Sequence, residues 1–472
     1  MTTDERYLAV IVADDLTGAI DSAVCFAKAE FPVDFPVVPN GLCAATQSSS
    51  HSDSYLNPSS VHSGRPVLVI NTDSRRSPDD FQSTISASLQ EISLACHVFK
   101  KIDSTLRGNV GSEVRHLMQV LGTRIAILTP AFPKTGRVVR DNQLYVNGLP
   151  LCQSELREDF IPSLHTSRID EIVRLQPDIL TRHINLSQFG SDSFDISHDI
   201  AQMIENDLSE TQSMVLPKKA VCFFDATSQQ DLRTIVDVGL CLEKTLGERV
   251  LWVGAAGLAE ALSHRLQDKS AGPCTASRVV CDHAAPTLNG GNVAGKACSL
   301  VSDVGKQVAP TLVINGSRKS ISYQQVDVLC NNHTVQKVVV DPHVPYADML
   351  KHASQPWKDG CNIVLTQAWP VVPAADEEVL HTFASLTSQL HRISPVQRMI
   401  CVGGDTAWQV FKRLGVKRIE IQGEIETAVP YGVLHLCGGE NISVVTKGGS
   451  IGQLSTLLET YEFLNDYEDG GV

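Results

Sequence analysis

An α/β fold with mostly parallel sheets follows from three features of this 472-residue sequence. Short apolar runs of strand length alternate almost throughout with helix-spaced runs, the pattern of repeated strand–helix–strand units. Several of the runs end in loops of small, acidic or basic residues, where the mouth of such a sheet receives its ligands. One long break, residues 267–306, holds Ala271-Gly272-Pro273 and Gly290-Gly291 and shows little periodicity. Together these predict two Rossmann-like three-layer domains, residues 1–266 and 307–472, joined by a linker.

In the first domain, strands are expected over 7–13, 67–71, 97–102, 124–129, 220–224 and 250–254. The first runs straight into Asp14-Asp15-Leu16-Thr17-Gly18-Ala19-Ile20-Asp21, and 16–29 has helical spacing, with Ala19, Ala23 and Ala27 on one face. Asp14 and Asp15 at a strand's carboxyl end suit a hydroxyl, a metal or a polyol. Helix capping accounts for one aspartate but not for both together with Asp21. Residues 40–65, rich in Ser, His and Asn, cannot build a core and read as an inserted surface loop.

The second strand leads into Asn71-Thr72-Asp73-Ser74-Arg75-Arg76, again polar and basic. Ser77 before Pro78 reads as a helix start, and Arg75 is the better ligand candidate of the two arginines. The third leads into Lys100-Lys101-Ile102-Asp103-Ser104-Thr105-Leu106-Arg107-Gly108, ahead of a helix with apolar residues at 110, 114, 117, 118 and 121. Cations grouped beside a helix N-terminus suit a carboxylate or a phosphate. After the fourth strand, Pro130-Ala131-Phe132-Pro133-Lys134-Thr135-Gly136-Arg137 forms a loop stiffened by two prolines, with Gly136 permitting close approach.

In the second domain, strands are expected over 311–315, 335–340, 362–366, 399–403 and 442–446. Three of them feed small-residue loops: Asn315-Gly316-Ser317, Val402-Gly403-Gly404-Asp405-Thr406 and Thr446-Lys447-Gly448-Gly449. Such loops let backbone amides approach phosphates, and three in one domain predict a nucleotide site. Residues 290–297 nearly match a phosphate loop, but Ala297 after Lys296 lacks the hydroxyl that would hold magnesium, and no strand launches the loop. No G-x-G-x-x-G fingerprint follows the first strand, which counts against a dinucleotide. His435 reads as a packed strand residue.

The net charge of −14 argues against a nucleic-acid partner. No run of about 18 apolar residues suggests a membrane span, and the apolar run 7–12 is too short for a secretory core. Thirteen cysteines without a C-x-x-C pair fit a reducing compartment, so a cytoplasmic location is expected.

Three motifs, Ala13-Asp14-Asp15-Leu16-Thr17-Gly18-Ala19, Lys101-x-Asp103-Ser104-Thr105-Leu106-Arg107-Gly108-Asn109 and Gly403-Gly404-Asp405-Thr406-Ala407, resemble those of the four-carbon acid sugar kinase family. Asn71 to Arg75, Gly254 to Ala259 and Gly316-Ser317 match as well, in the family's order. The resemblance implies an N-terminal acid-sugar-binding domain and a C-terminal ATP-binding domain. It implies transfer of the γ-phosphoryl group of ATP, with Mg²⁺, to the terminal hydroxyl of a C4 sugar acid such as D-threonate, D- or L-erythronate or 3-oxo-tetronate. Substrate contacts are then expected from Asp14, Asp15, Arg75, Lys101, Asp103, Ser104 and Arg107. ATP contacts are expected from Ser317, Gly403, Gly404, Asp405, Thr406, Gly448 and Gly449. Asp15 or Asp103 is expected to accept the hydroxyl proton, while the metal ligands stay unassigned. A homodimer is compatible with this picture. Ile451 departs from the aromatic residue usual in the family, and Thr427-Ala428 replaces its Pro-Gly. The competing readings are a nicotinamide-dependent sugar-acid dehydrogenase and a non-catalytic sugar-acid binding protein.

Overall fold

The computed structural model describes residues 6–37, 65–75, 78–160, 164–189, 193–210, 219–270, 309–368 and 376–466. The insert 40–65, Arg65 excepted, lies outside them, as do Arg76, Ser77 and the near-phosphate loop with Lys296. The helix Ala256–Ser270 continues four residues into the segment expected as linker.

The first half contributes β1 (Tyr7–Ala13), β2 (Val33–Pro36), β3 (Val67–Asn71), β4 (Ala95–Lys101) and β5 (Ile125–Thr129). A small three-stranded sheet follows, made of β6 (Arg137–Arg140), β7 (Gln143–Val146) and β8 (Leu149–Pro150). Then come β9 (Ile179–Ile184), β10 (Lys219–Phe224) and β11 (Leu251–Gly254). The main strands order as β2-β3-β1-β4-β11-β5-β10-β9, all parallel. Parallel pairing requires a crossover between strands, and the helices that supply it cover the sheet faces. The strands are accordingly apolar on both sides: Val10, Ile11 and Val12 of β1 are fully buried.

The second half contributes β12 (Thr311–Asn315), β13 (Val335–Val340), β14 (Asn362–Gln367), β15 (Arg398–Val402), β16 (Val416–Glu426), β17 (Val429–Leu436) and β18 (Asn441–Lys447). Their order is β13-β14-β12-β15-β18-β17-β16, parallel as far as β18 and antiparallel through β17 and β16. The strand expected over 399–403 stops one residue short because Gly403 turns away at φ +107.

The sheet does not stop between the halves. β2 pairs in parallel with β3 on one side and antiparallel with β16 on the other, giving one continuous sheet of 15 strands. This seam escapes the sequence pattern for two reasons. β2 is four residues long and ends in Pro36, and β16 interleaves Lys417, Arg418, Glu420, Gln422 and Glu424 with its apolar residues. Helix α1 (Leu16–Lys28) spans the same seam, with Lys28 Nζ 2.8 Å from Glu424 of β16. His435 sits in β17 as a packed residue, bonded to Glu420 at 2.9 Å and Asn441 at 3.0 Å. Among the described residues no helix is long and apolar enough to cross a membrane.

Candidate active site

Strand register brings the first three polar motifs together. Ala13 at the end of β1 lies opposite Asn71 of β3 on one side and Lys101 of β4 on the other. The segments that follow, Asp14-Asp15, Thr72 to Arg75 and Ile102 to Arg107, therefore emerge side by side at the carboxyl edge. Asp15 is also the N-cap of α1: its backbone is extended and its Oδ1 accepts the Gly18 N–H at 3.0 Å. Capping and site formation are here one arrangement.

Arg75 ties the acids together. Its Nε and Nη2 donate to Asp14 at 2.9 and 3.0 Å, and its Nη1 and Nη2 donate to Asp15 at 2.8 and 3.0 Å. That uses four of the five guanidinium N–H groups. Burial pushes the Asp14 carboxyl up, but the charges of Arg75, Lys100 and Lys101 outweigh it and hold the group below its ordinary value. For Asp15 burial wins: with the Asp14 charge adding to it, the carboxyl is raised in spite of Arg75.

Asp103 is held differently. Its carboxylate accepts from the Thr105 N–H at 3.0 Å, from the Thr105 hydroxyl, and from Arg107 at 2.8 and 3.0 Å. Burial alone would raise its carboxyl, yet Arg107 and Arg75 hold it well below the usual range. The loop that allows this puts Leu106 at φ +66 and Gly108 at φ +95. Asp103 is thus the weaker proton acceptor of the two carboxylates expected as a base.

Lys101 is buried, with Nζ donating to the Ile102 carbonyl at 2.8 Å. A Cβ on Gly18 would come within 2.7 Å of both Lys101 Nζ and Asp15 Oδ1, so only glycine leaves these groups room. Ser104 is half-buried beside them. Lys100 points below the site, where its Nζ lies 2.6 Å from Glu113. Glu113 accepts from Ser74 at 2.6 Å, which fastens the loop after β3 to the helix after β4. Asp21, one turn along α1 from Thr17, has a buried Oδ1 without a hydrogen bond, and burial pushes its carboxyl up to about 7.

In the second half β12, β15 and β18 lie side by side, with Asn315 opposite Val402 and Val402 opposite Lys447. This gathers the three expected loops. Gly403 donates to the Lys447 carbonyl at 2.9 Å, and Gly316 donates to the Val402 carbonyl at 3.1 Å. Gly404 begins the helix Gly404–Leu414, whose first turn holds Asp405 and the buried Thr406. The packing admits no side chains at three glycines. A Cβ on Gly316 would strike Thr406, one on Gly449 would strike Ser317, and one on Gly404 would strike Thr17 of α1. Thr17 also lies next to Gly448. The first turn of α1 therefore touches the acid–arginine cluster at Asp15 and the glycine loops at Thr17.

Lys447 lies within the third of these loops but is not among the residues expected to contact ATP. The side chain is buried, and among the described residues its Nζ donates to the Gly448 carbonyl alone, at 3.1 Å. Burial brings the amine down to about 8, and the more distant Glu426 carboxylate only partly offsets this. A lysine ending an apolar strand just before two glycines was the available signal. Among the described residues no group of three or more His, Cys, Asp or Glu side chains could hold a metal ion.

Comparison with known proteins matches residues 9–262 to a sugar-binding N-terminal domain and residues 312–457 to a nucleotide-binding C-terminal domain. The chain belongs to the four-carbon acid sugar kinase family. Among its relatives within the family is the D-threonate kinase of Salmonella typhimurium, 26% identical over 97% of this chain and 98% of that one. The D-erythronate kinase of Heliobacterium modesticaldum is 25% identical, covering 96% of each chain. The 3-oxo-tetronate kinase of Brucella melitensis is 23% identical over 97% of this chain and 96% of that one. The fold is shared with a crystal structure of a Salmonella typhimurium LT2 protein (TM-score 0.67, 18% identity, covering 97% of this chain and 99% of that one).

Proposed function

We propose that this member of the acid sugar kinase family transfers the γ-phosphoryl group of ATP to the terminal hydroxyl of a four-carbon sugar acid. The observation that carries the reading is the shared first turn of α1, which touches an acid–arginine cluster on one side and three glycine loops on the other. A polyol hydroxyl both donates and accepts, so a surface alternating Asp14, Asp15 and Asp103 with Arg75, Lys101, Ser104 and Arg107 suits it. Amides of Gly404, Gly448 and Gly449, the first turn at Asp405 and Thr406, the Ser317 hydroxyl and the Lys447 ammonium suit the phosphates. Mg²⁺ bound to those phosphates would neutralise charge on them.

In this mechanism the terminal hydroxyl oxygen attacks the γ-phosphorus, the bond to the β,γ-bridging oxygen breaks, and ADP leaves. Asp15 takes the hydroxyl proton. Its carboxyl is raised by burial, so it is the better base, whereas Asp103 orients hydroxyls. Catalysis rests on positioning and charge neutralisation. The dehydrogenase and binding-protein readings gain nothing from the relatives named above, all of them kinases.

The test is ADP release from ATP and Mg²⁺ with a panel of D-threonate, D-erythronate, L-erythronate and 3-oxo-tetronate. Stimulation by at least one acid is expected; no stimulation by any of them overturns the reading. Asp15→Asn keeps the helix cap but removes the base, so kcat should fall by about 10²–10⁴ with both KM values little changed.

A further inference from the structure

The cations around the first-half cluster fall into two groups. Arg75 is neutralised by Asp14 and Asp15, Arg107 by Asp103, and Lys100 by Glu113. Among the described residues Lys101 has no carboxylate in contact, but its charge acts on Asp14, Asp15 and Asp21 together. Arg137 is different. It is half-buried, its Nη1 donates to the Thr135 carbonyl, and its Nε is buried with no hydrogen-bond partner. Among the described residues it makes no ion pair. Burial lowers its pKa, and of the two charged neighbours that act on it Asp103 opposes the shift while Arg107 adds to it.

A partly buried guanidinium without a counter-ion is unfavourable unless an anion arrives to complete it. The backbone holds Arg137 in readiness. It opens β6 directly after Gly136, which turns at φ +73, and it pairs with Val146 of β7 and bridges to Phe132. The loop carrying it leaves β5, and β5 stands two strands from β4 in the order β4-β11-β5. Two strand spacings are about 10 Å. A C4 acid is about 5 Å from carboxyl carbon to terminal oxygen, at ~1.5 Å per bond. An extended arginine side chain is long enough to span the remainder, and the charges of Asp103 and Arg107 act on Arg137.

We propose that Arg137 is the specificity residue for the acid group: its guanidinium fork pairs with the substrate carboxylate, while the terminal hydroxyl lies at the Asp15 end beside the phosphates. This rests on the kinase reading above and adds to it which cation selects a sugar acid over a neutral sugar alcohol. Arg75 and Arg107, already occupied by aspartates, serve the hydroxyls instead.

The experiment compares wild type, Arg137→Gln and Arg137→Lys with ATP and Mg²⁺. Two ligands are used: the best C4 acid of the panel, and a neutral C4 polyol such as threitol, read as KM or as Ki in competition. Losing a charge-assisted hydrogen-bonded pair is expected to raise the acid KM about ten- to hundredfold in the Gln variant. The KM for ATP and the constant for the polyol should stay within about twofold, so the preference for acid over polyol collapses. Lys restores the charge but not the fork and should recover part of that preference. A Gln variant that melts like wild type and keeps its acid-over-polyol ratio overturns the proposal. If Gln fails to fold, a Lys variant with an unchanged ratio does the same. Wild type turning over no acid at all would instead refute the kinase reading, and the two failures are distinguishable.

Discussion

The two strand-end clusters treat buried charge in opposite ways. In the first half Asp14, Asp15 and Asp103 meet Arg75 and Arg107 at 2.8–3.0 Å, and the pairs hold each other in place before any ligand arrives. In the second half the buried Lys447 has, among the described residues, one backbone carbonyl and no carboxylate within contact. The contrast fits the proposed ligands. A hydroxylated chain needs donors and acceptors already aimed in alternation. A polyphosphate brings excess negative charge, so a cation left unneutralised gains most from its arrival. Arg137, in the first half, follows the second rule, which is why it stands out among its neighbours.

The comparison breaks most sharply at Arg75. Arg75→Met would leave two buried aspartates without their shared partner, a loss that costs about 3–5 kcal/mol. Denaturant unfolding should show that drop, together with loss of activity. A variant as stable as wild type would mean that the aspartates are not held by this arginine.

Lys447→Met should do the reverse. In the unfolded chain the amine keeps its proton to about pH 10.4, whereas in the folded protein it does so only to about 8. Below pH 8 the folded protein therefore bears the full cost of the buried charge, and that cost fades as pH rises toward 10.4. The Met variant should be more stable by up to about 3 kcal/mol below pH 8, with the gain vanishing above that range. The KM for ATP should rise about tenfold or more over the same interval. A fall in Tm at pH 7 would show that Lys447 is neutralised after all.

The smallest expected effect lies at the β16–β17 turn. Ala428 is held at φ +64, and its N–H donates to Glu424 Oε1 at 2.6 Å. Glycine has no Cβ penalty there, though it loses more backbone entropy on folding. Ala428→Gly should raise stability by about 1 kcal/mol, read as a Tm shift of a few degrees. No gain would mean that the entropy term cancels the relief.

Much of the site was legible because buried parallel strands read as uninterrupted apolar runs, so the polar residues that follow them stand out. Asp14, Arg75, Asp103, Gly403 and Gly448 were singled out in this way. The strands β2 and β16 were not, since their mixed or very short patterns resemble loops. Asp15 read as a ligand with capping as the alternative, and its carboxylate does cap the helix, with one oxygen on Gly18 and both on Arg75.

The sequence by itself determined the α/β class, the strand-end loops and the chemistry gathered in each, because these depend on local pattern and on residues near one another in the chain. Which charges cancel was decided only by the tertiary structure. Arg75 meets Asp14 across 61 positions, while Lys447 and Arg137 meet no carboxylate among the described residues. Pairing, burial and the lack of a counter-ion arise only when strand register and packing bring distant segments together, and no local pattern encodes them.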